Sequence, residues 1–223
     1  MQQQPKPTVG RRQGLILAII VLVVIAVVLA LVFGLGRGPS SPSNVSFNLS
    51  GQPTLGNPNS KVTVVAFEDF KCPFCRQYSL TVFPRVEKNF IQTGKIYYGF
   101  YNFPFIGPDS YTAAVAAECV FHQKASLFWP YFHLLYRAQK NETTDWATPS
   151  YLVQVASYVP GVNTTALRSC IAANRYLKVV KANKQLGIQD GVQGTPSIFV
   201  NGKLLANPSY SQLASAINRD LKS

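Results

Sequence analysis

The longest hydrophobic pattern in the chain is an uninterrupted apolar run near its start. Residues 15–33 read LILAIIVLVVIAVVLALVF, nineteen positions without a charge, a proline or a hydrogen-bonding side chain. A helix of about that length crosses the hydrocarbon core of a bilayer. The apolar region of a cleaved signal peptide, the alternative, has only about 7 to 15 residues. We therefore predict an uncleaved transmembrane anchor over residues 15–36.

Shorter apolar patterns begin at residue 61 and predict one α/β domain over residues 61–223. Residues 62–67 form a β-branched run typical of a strand that is buried on both faces. Residues 73–91 have the three- and four-residue apolar spacing of a helix, and the aromatic-rich residues 95–103 indicate a second strand. A right-handed crossover between the two strands would make them parallel.

The pattern becomes helical in the middle of this domain and returns to strands near its end. Helical apolar spacing extends from residue 109 to about residue 186. Asn201-Gly202, between two short apolar runs, is the strongest short-range signal for a β-hairpin. An amphipathic helix over residues 210–221 is predicted to end the domain.

The residues between the anchor and the domain are rich in Gly, Pro, Ser and Asn, which cannot bury a core. We predict a flexible tether over residues 37–60, with one short strand around Phe47. Three basic residues precede the anchor and only Arg37 follows it closely. The positive-inside rule then places the tail, residues 1–14, in the cytosol and the domain outside the cytosol.

The charge balance narrows the classes of partner. The formal net charge is +12, from 21 Lys and Arg residues and 9 Asp and Glu residues. No run of Lys or Arg follows the anchor, and the predicted compartment holds no nucleic acid, so we predict no nucleic-acid partner. Four of the basic residues precede residue 38, so residues 38–223 carry 17 minus 9, or +8. That positive charge would attract the domain to an anionic membrane surface or acidic substrates.

All four cysteines lie in the part of the chain that is predicted to be exported, where disulfides persist. Cys72 and Cys75 form a C-x-x-C motif, which by itself fits a redox couple, half of a metal site or a structural crosslink. Cys119 and His122 form a C-x-x-H motif, which together with the first pair would complete a zinc set. Because that spacing arises easily in an alanine-rich helix, we predict no metal site.

Cys119 and Cys170 fall on separate predicted helices and are either paired or free buried thiols. The two positions are far apart in sequence, so a crosslink between them would close a long loop. We predict a structural disulfide, which by loop entropy would contribute about 3 to 4 kcal/mol to stability.

An F-x-D-F-x-C-P-x-C pattern and a downstream G-T-P occur at Phe67, Asp69, Phe70, Cys72, Pro73, Cys75, Gly194, Thr195 and Pro196. With the predicted order of strands and helices, these motifs resemble the DsbA-like thiol-disulfide oxidoreductases. The resemblance covers about residues 45–221. It implies an α/β, thioredoxin-like fold with an inserted helical domain over about residues 107–173, preceded here by one transmembrane helix.

The resemblance implies that Cys72 and Cys75 are the catalytic pair. Cys72 would be the exposed sulfur that clients attack, and Cys75 would resolve or re-form the bond. Thr195 and Pro196 would form a cis-proline segment that lies against the cysteines and binds extended substrate through its backbone. A cis peptide bond is nearly confined to proline.

Cys72 is predicted to lie at the N-cap of the first helix, where the positive end of the helix dipole favours a thiolate. Pro73 fits the first helical position, because its missing amide hydrogen is not needed there. Lys71 and Arg76 add positive charge. We therefore expect a depressed pKa for Cys72, which makes the disulfide a stronger oxidant. Phe74 offers an apolar contact beside the site that tunes it.

One position departs from the resemblance. Many thioredoxin-fold enzymes have a buried acid six residues before the first cysteine, where this chain has Ala66. Proton transfer at Cys75 then uses water or Glu68. Glu68 fits a solvated or structural carboxylate equally well.

We predict a membrane-tethered, extracytoplasmic oxidoreductase that donates its Cys72–Cys75 disulfide to reduced, newly exported proteins. The resemblance implies recharging by an integral-membrane DsbB-like or VKOR-like oxidoreductase (the latter related to vitamin K epoxide reductase), and no bound cofactor. No dimerisation module is visible, so we expect a monomer. The alternatives are a disulfide reductase or isomerase that uses the same cysteines, and a non-catalytic tethered chaperone or binding domain.

Overall fold

The computed structural model describes residues 16, 20–25, 27–29 and 45–223 of the chain. The predicted tail and most of the predicted anchor lie outside the described residues, and the anchor residues that are described are helical. Within the described residues, no helix has both the length and the apolar character that crossing a membrane requires. The transmembrane anchor stays a prediction.

A five-stranded mixed sheet forms the framework of residues 45–223. Its strands, in spatial order, are β1 (Thr54–Gly56), β3 (Ile96–Asn102), β2 (Val62–Glu68), β4 (Ser197–Val200) and β5 (Lys203–Ala206). Strands β2 and β3 are parallel, as the predicted crossover requires, and the other neighbouring pairs are antiparallel. The central strand, β2, is buried along almost its whole length, because apolar clusters cover both faces of the sheet.

Helix α1 follows β2 and leads back to β3. The second and fourth of its four consecutive segments are π-helical: Pro73–Gln77, Tyr78–Val82, Phe83–Val86 and Glu87–Ile91. The sequence predicted one regular helix over the same residues. Pro84 accounts for part of the difference, since it has no amide hydrogen for the preceding turn and a π turn widens the helix there.

The helices after β3 are α2 (Pro108–Gln123), α3 (Phe128–Arg137), α4 (Pro149–Ala156), α5 (Thr164–Ala172), α6 (Leu177–Gln189) and α7 (Tyr210–Lys222). Helices α2 to α5 lie between β3 and α6 in the chain, and α6 packs on β3 again. They occupy the span that was predicted for the helical insertion.

A disulfide joins Cys119 on α2 to Cys170 on α5, with an S–S distance of 2.05 Å. It crosslinks two helices of the insertion and lies outside the C-x-x-C motif. Because Cys119 is already bonded, the C-x-x-H motif that it forms with His122 has no free thiolate to offer a metal ion.

The fold starts earlier in the sequence than predicted. Phe47 packs against Phe67 on β2 and Phe199 on β4, with ring centroids 5.6 and 4.8 Å apart. Together with Leu49, Phe47 covers the smaller apolar cluster of the sheet. Residues 45–60 of the predicted tether are therefore part of the domain.

The described residues 45–50 around Phe47 do not form a strand, and the strand of the segment 45–60 is β1, paired with β3. Val45, Phe47 and Leu49 alternate with polar residues at the spacing of a strand, but in the structure Phe47 and Leu49 pack on the face of the sheet. What holds the segment in place is its long-range packing on the sheet.

Replacing both Cys119 and Cys170 by alanine is expected to lower the free energy of unfolding by about 4 kcal/mol at 25 °C, because the crosslink closes a loop of about 50 residues. Urea denaturation of the variant and the parent, with Cys72 and Cys75 intact in both, measures the difference. A loss below about 1 kcal/mol would contradict the loop-entropy account.

Candidate active site

Cys72 occupies the N-cap of α1, just after the loop that leaves β2. Its backbone is extended, with φ −72° and ψ 122°, and Pro73 takes the first helical position. The Cys72 carbonyl accepts a helical hydrogen bond from the amide of Arg76 at 3.0 Å. The sulfur therefore lies at the helix end whose backbone N–H groups have no helical partner.

The pKa of Cys72 is lowered to about 6, chiefly by a hydrogen bond from the Cys75 thiol to the thiolate. Burial acts in the opposite direction and raises the pKa, while the side chain of Thr195 and the backbone amides of Cys75 and Phe74 lower it further. These amides belong to the first turn of α1, so the helix end contributes as the sequence suggested.

The positive side chains beside the motif do not face the sulfur as expected. Lys71 is buried and pairs with Asp109, with its Nζ 2.5 Å from Oδ1. Arg76 donates from Nε to the carbonyl of Tyr136 at 3.2 Å. Local hydrogen bonds, and not these two cations, stabilise the thiolate of Cys72.

Cys72 is also less exposed than predicted, with 3% of its surface accessible. Its Sγ donates to the backbone carbonyl of Thr195 at 3.3 Å. Gln139, a residue after α3, donates from Nε2 to the carbonyls of Phe70 at 2.8 Å and Cys72 at 3.0 Å. These contacts hold the loop around the sulfur closed.

Cys75 lies one turn further along α1 and is fully buried. Burial is the main cause that raises the pKa of Cys75 well above its ordinary value, and the charge of Glu68 raises it further. Both cysteines are free thiols in the structure. The pair is thus asymmetric, with one sulfur that ionises easily and one that keeps its proton.

Thr195 and Pro196 come directly before β4, and the peptide bond between them is cis. The antiparallel pairing of β4 with β2 brings this segment to the Cys72 end of β2. The Ser197 hydroxyl donates to the Gly194 carbonyl at 2.7 Å and fixes the loop. The structure therefore places the G-T-P motif against the C-x-x-C motif.

A cleft of about 240 Å³ lies beside this segment. Phe74, which is 57% exposed, forms one side of it, and Leu204 on β5 contributes another apolar side chain. Residues 193–197 also line the cleft. An extended peptide could lie there with its side chains on Phe74 and Leu204.

Glu68 is the last residue of β2 and is fully buried. Burial raises the pKa of Glu68 to about 8; the nearby Tyr136 hydroxyl lowers it in part and the Cys72 charge raises it. Since side chains two apart on a strand share a face, Glu68 lies on the same face as Ala66. The chain thus has a buried acid two residues closer to the cysteines than the position that Ala66 fills.

Two acids, Asp69 of the cysteine motif and Asp109 near the start of α2, hold the loop between β2 and Cys72, a role that the sequence does not reveal. Asp69 accepts hydrogen bonds from the amides of Lys71 at 2.8 Å, Phe105 at 2.9 Å and Ile106 at 3.2 Å. Asp109 accepts from Lys71 and from the amide of Ala147 at 3.1 Å. The D-x-K spacing is visible in the sequence, but Asp109 lies 38 residues from Lys71 and no local signal connects them.

The structure brings together the predicted site residues Cys72, Pro73, Phe74, Cys75, Glu68, Thr195 and Pro196. Cys119 and Cys170 lie apart from them, as a crosslink within the insertion. The arrangement provides an ionisable sulfur, a partner sulfur that keeps its proton, a buried acid and an adjoining cleft, which together suit thiol-disulfide exchange.

Comparison with known proteins agrees with this chemistry. A family model described as Thioredoxin matches residues 48–219. The probable disulfide bond formation protein D of Bacillus anthracis is 36% identical over 180 residues, covering 80% of this chain and 82% of that protein. The disulfide bond formation protein D of Bacillus subtilis is 31% identical over 176 residues, covering 78% and 79%.

Solved structures give the same result. Oxidised BdbD from Bacillus subtilis superimposes with a TM-score of 0.78 at 29% identity, covering 82% of this chain and 100% of that one. DsbA from Chlamydia trachomatis superimposes with a TM-score of 0.72 at 28% identity, covering 82% and 96%. The sequence, the fold and the paired cysteines place this chain in the thioredoxin family, as a DsbA-like protein-disulfide oxidoreductase.

Proposed function

We propose that this enzyme acts as an oxidant that donates its Cys72–Cys75 disulfide to reduced, exported proteins while tethered to the membrane. The observation that carries the direction is the asymmetry of the two thiols. The pKa of Cys72 is lowered to about 6, whereas the pKa of Cys75 is raised. A stabilised Cys72 thiolate favours the reduced enzyme, so electrons pass from client to enzyme.

In the first step, a client thiolate attacks Sγ of Cys72. A client–Cys72 disulfide forms, the Cys72–Cys75 bond breaks, and its electron pair leaves on Cys75. The Glu68 carboxyl, whose pKa is raised to about 8 by burial, transfers a proton to the Cys75 sulfur. A second client thiolate then attacks the client sulfur of the mixed disulfide, which forms the client disulfide and releases Cys72 as a thiolate.

The cleft beside Thr195 supports an extended client. Its backbone would pair with residues 193–197, and its apolar side chains would contact the exposed ring of Phe74 and the side chain of Leu204. Reduced, unfolded proteins present such segments, whereas folded ones rarely do. The enzyme therefore selects clients by their extended conformation.

The proposed location rests on the sequence. The apolar run of residues 15–33 would hold the enzyme in the membrane, with the catalytic domain outside the cytosol. An integral-membrane oxidoreductase of the DsbB-like or VKOR-like kind would recharge the pair. The relatives named as disulfide bond formation proteins support an oxidant over a reductase or isomerase.

Titration of the thiolate absorbance of reduced enzyme is expected to give a midpoint near 6, in line with the lowered pKa of Cys72. Because this folded-state pKa lies below the ordinary value of 9.0, the extra stability of the reduced enzyme is complete above pH 9 and is lost as the pH falls to about 6. Equilibration with glutathione buffers across this pH range measures how the stability of the reduced enzyme, relative to the oxidised enzyme, changes with pH.

The variant Cys72→Ser is the control and is expected to lose the midpoint near 6. A wild-type midpoint near the ordinary value of 9.0 would overturn the oxidant assignment. A pair more reducing than glutathione would instead support the reductase.

A further inference from the structure

Gln139 links the helical insertion to the turn that carries the nucleophile. It lies two residues after the end of α3, and its side-chain amide donates from Nε2 to the Phe70 carbonyl at 2.8 Å and to the Cys72 carbonyl at 3.0 Å. The NH₂ group of a Gln side chain has two hydrogens, so each carbonyl can receive one of them. Because the two carbonyls lie on either side of Lys71, a single side chain holds two peptide groups of the turn.

The insertion fixes the position of Gln139. Its own N–H donates to the Tyr136 carbonyl at 3.4 Å, and the neighbouring Ala138 carbonyl accepts from the Tyr151 hydroxyl of α4 at 2.7 Å. The Tyr136 carbonyl also accepts from Nε of Arg76 on α1 at 3.2 Å. The end of α3 is therefore tied both to α4 and to the first turn of α1.

The Phe70 carbonyl depends on Gln139 for a hydrogen-bond donor. Among residues 45–223, no other protein group donates to this carbonyl, and Phe70 is 1% exposed. A buried carbonyl without a donor is unfavourable, so the turn would rearrange if the amide were lost. The Cys72 carbonyl keeps a second donor, the amide of Arg76. Loss of the Gln139 amide would therefore loosen the turn and leave α1 in place.

The orientation of the Cys72 peptide group decides which donors face the sulfur. The backbone amides of Phe74 and Cys75 lower the pKa of Cys72, and both follow the Cys72 carbonyl in the chain. A rotation about ψ of Cys72, which is 122°, would turn that carbonyl and move the two amides away from the sulfur. Gln139 opposes this rotation because it binds the carbonyl itself. The positive end of its amide dipole also offsets part of the negative charge of that carbonyl, next to the thiolate.

Several other titratable or charged groups surround Cys72. Burial raises the pKa of Glu68 on β2 to about 8, so this carboxyl is largely protonated at pH 5 and at pH 7. Residues 193–197 contain no titratable side chain. Wild-type enzyme and variants of Gln139 share all of these groups, so a difference between the proteins reports the loss of the amide. The remaining groups are Asp69 and Lys71 of the turn, Cys75 and Arg76 of α1, Asp109 of α2 and Tyr136 of α3.

We propose that Gln139 is a positioning residue, which holds the turn in the orientation that stabilises the Cys72 thiolate. Its hydrogen bonds go to backbone carbonyls and not to the sulfur, so it acts through the backbone. A more stable thiolate stabilises the reduced enzyme, so Gln139 makes the Cys72–Cys75 disulfide a stronger oxidant. The inference rests on the proposed use of this pair as an oxidant.

Gln139→Met tests the inference, because Met has nearly the shape of Gln but no N–H. The midpoint of the thiolate titration of Cys72 is expected to rise by about one pH unit. The thiolate favours the reduced enzyme only where Cys72 is ionised. In glutathione buffers, the variant is therefore expected to favour its reduced form less than the wild type does, by about fivefold at pH 7. At pH 5, where Cys72 is largely protonated in both proteins, the two are expected to be nearly equal.

Gln123→Met is the matched control. Gln123, the last residue of α2, donates from Nε2 to the Asn163 carbonyl at 3.0 Å, so this variant also loses a hydrogen bond from a side-chain amide to a backbone carbonyl. It is expected to keep the wild-type midpoint. Gln139→Asn has an amide that is one methylene too short to reach both carbonyls. It is expected to behave like Gln139→Met and replaces that variant if the Met side chain prevents folding.

An unchanged midpoint in Gln139→Met overturns the inference. A loss of reduced enzyme of the same size at pH 5 and at pH 7 also overturns it, because a purely structural role would not depend on the ionisation of Cys72. The proposed function is judged separately. A wild-type midpoint near 9.0 would remove the oxidant assignment, whereas a wild-type midpoint near 6 with no shift in Gln139→Met would remove only the role of Gln139.

Discussion

Cys75→Ala is expected to turn the enzyme into a covalent trap for its clients, whereas Cys72→Ala is expected to lose reaction with them altogether. The reason is the asymmetry of the pair: Cys72 forms the thiolate that attacks the client disulfide, and the enzyme's own route out of the resulting mixed disulfide is attack by Cys75 on the Cys72 sulfur, which this variant lacks. Incubation with a disulfide-bonded client, followed by non-reducing electrophoresis and mass spectrometry, detects an adduct of enzyme plus client.

The matched control is the double variant Cys119→Ala with Cys170→Ala, which also removes cysteines but leaves the site intact. Below its unfolding temperature it is expected to turn over without a lasting adduct. A persistent adduct with Cys72→Ala would mean that Cys75 is the attacked sulfur and would reverse the assignment. Full cellular activity of Cys72→Ala would instead favour a non-catalytic binding domain.

Lys71→Met and Asp109→Leu are each expected to lower the free energy of unfolding by about 3 to 5 kcal/mol, because each leaves a buried charge without its partner. The side chain of Lys71 is 2% exposed, and its ammonium group also donates to the Thr144 carbonyl at 3.0 Å. The double variant removes both charges and is expected to recover most of the loss. Urea denaturation of the four proteins gives the coupling energy.

The ion pair of Lys71 and Asp109 also lies next to Cys72, so the same variants are expected to change the pKa of Cys72. Asp109→Leu leaves the positive charge of Lys71 without its partner, one residue from Cys72, and is expected to lower the midpoint of the thiolate titration. Lys71→Met leaves the negative charge of Asp109 without its partner and is expected to raise that midpoint.

Lys88→Met is the control for stability. It removes an exposed lysine of α1 and is expected to change the free energy of unfolding by less than about 0.5 kcal/mol. Equal stability losses in the single and double variants would show that packing, and not charge, matters here.

The parts of the fold that the sequence predicted are those with local signals. Strand β2 follows from a continuous β-branched run, helix α1 from three- and four-residue apolar spacing, and strand β3 from its aromatic residues. The hairpin at Asn201 and Gly202 follows from turn chemistry, and both residues have the positive φ that such a turn needs, 44° and 77°. The helix-capping position of Cys72 follows from the adjacent proline in the same way.

The parts that escaped prediction depend on partners distant in sequence. From the sequence, Lys71 is expected to be a charge near the surface, because its buried partner Asp109 lies 38 residues further along the chain. From the sequence, Phe47 is expected to lie in a tether, because its packing partners Phe67 and Phe199 are distant in the chain. Glu118 lies in an alanine-rich helix whose buried face cannot be assigned from so many small residues, so the hydrogen bond that it accepts from Asn102 Nδ2 at 2.8 Å was not visible.

The near-complete cover over Cys72 has a consequence for the lifetime of the enzyme. A thiolate of low pKa is normally the group that peroxide converts to sulfenic acid and then irreversibly to sulfinic acid. Here only 3% of the residue is accessible, and the Thr195 carbonyl contacts the sulfur. We expect small oxidants to be largely shielded from it, while a client that binds along the same backbone segment reaches it. The contact that positions the nucleophile thus also protects it from overoxidation.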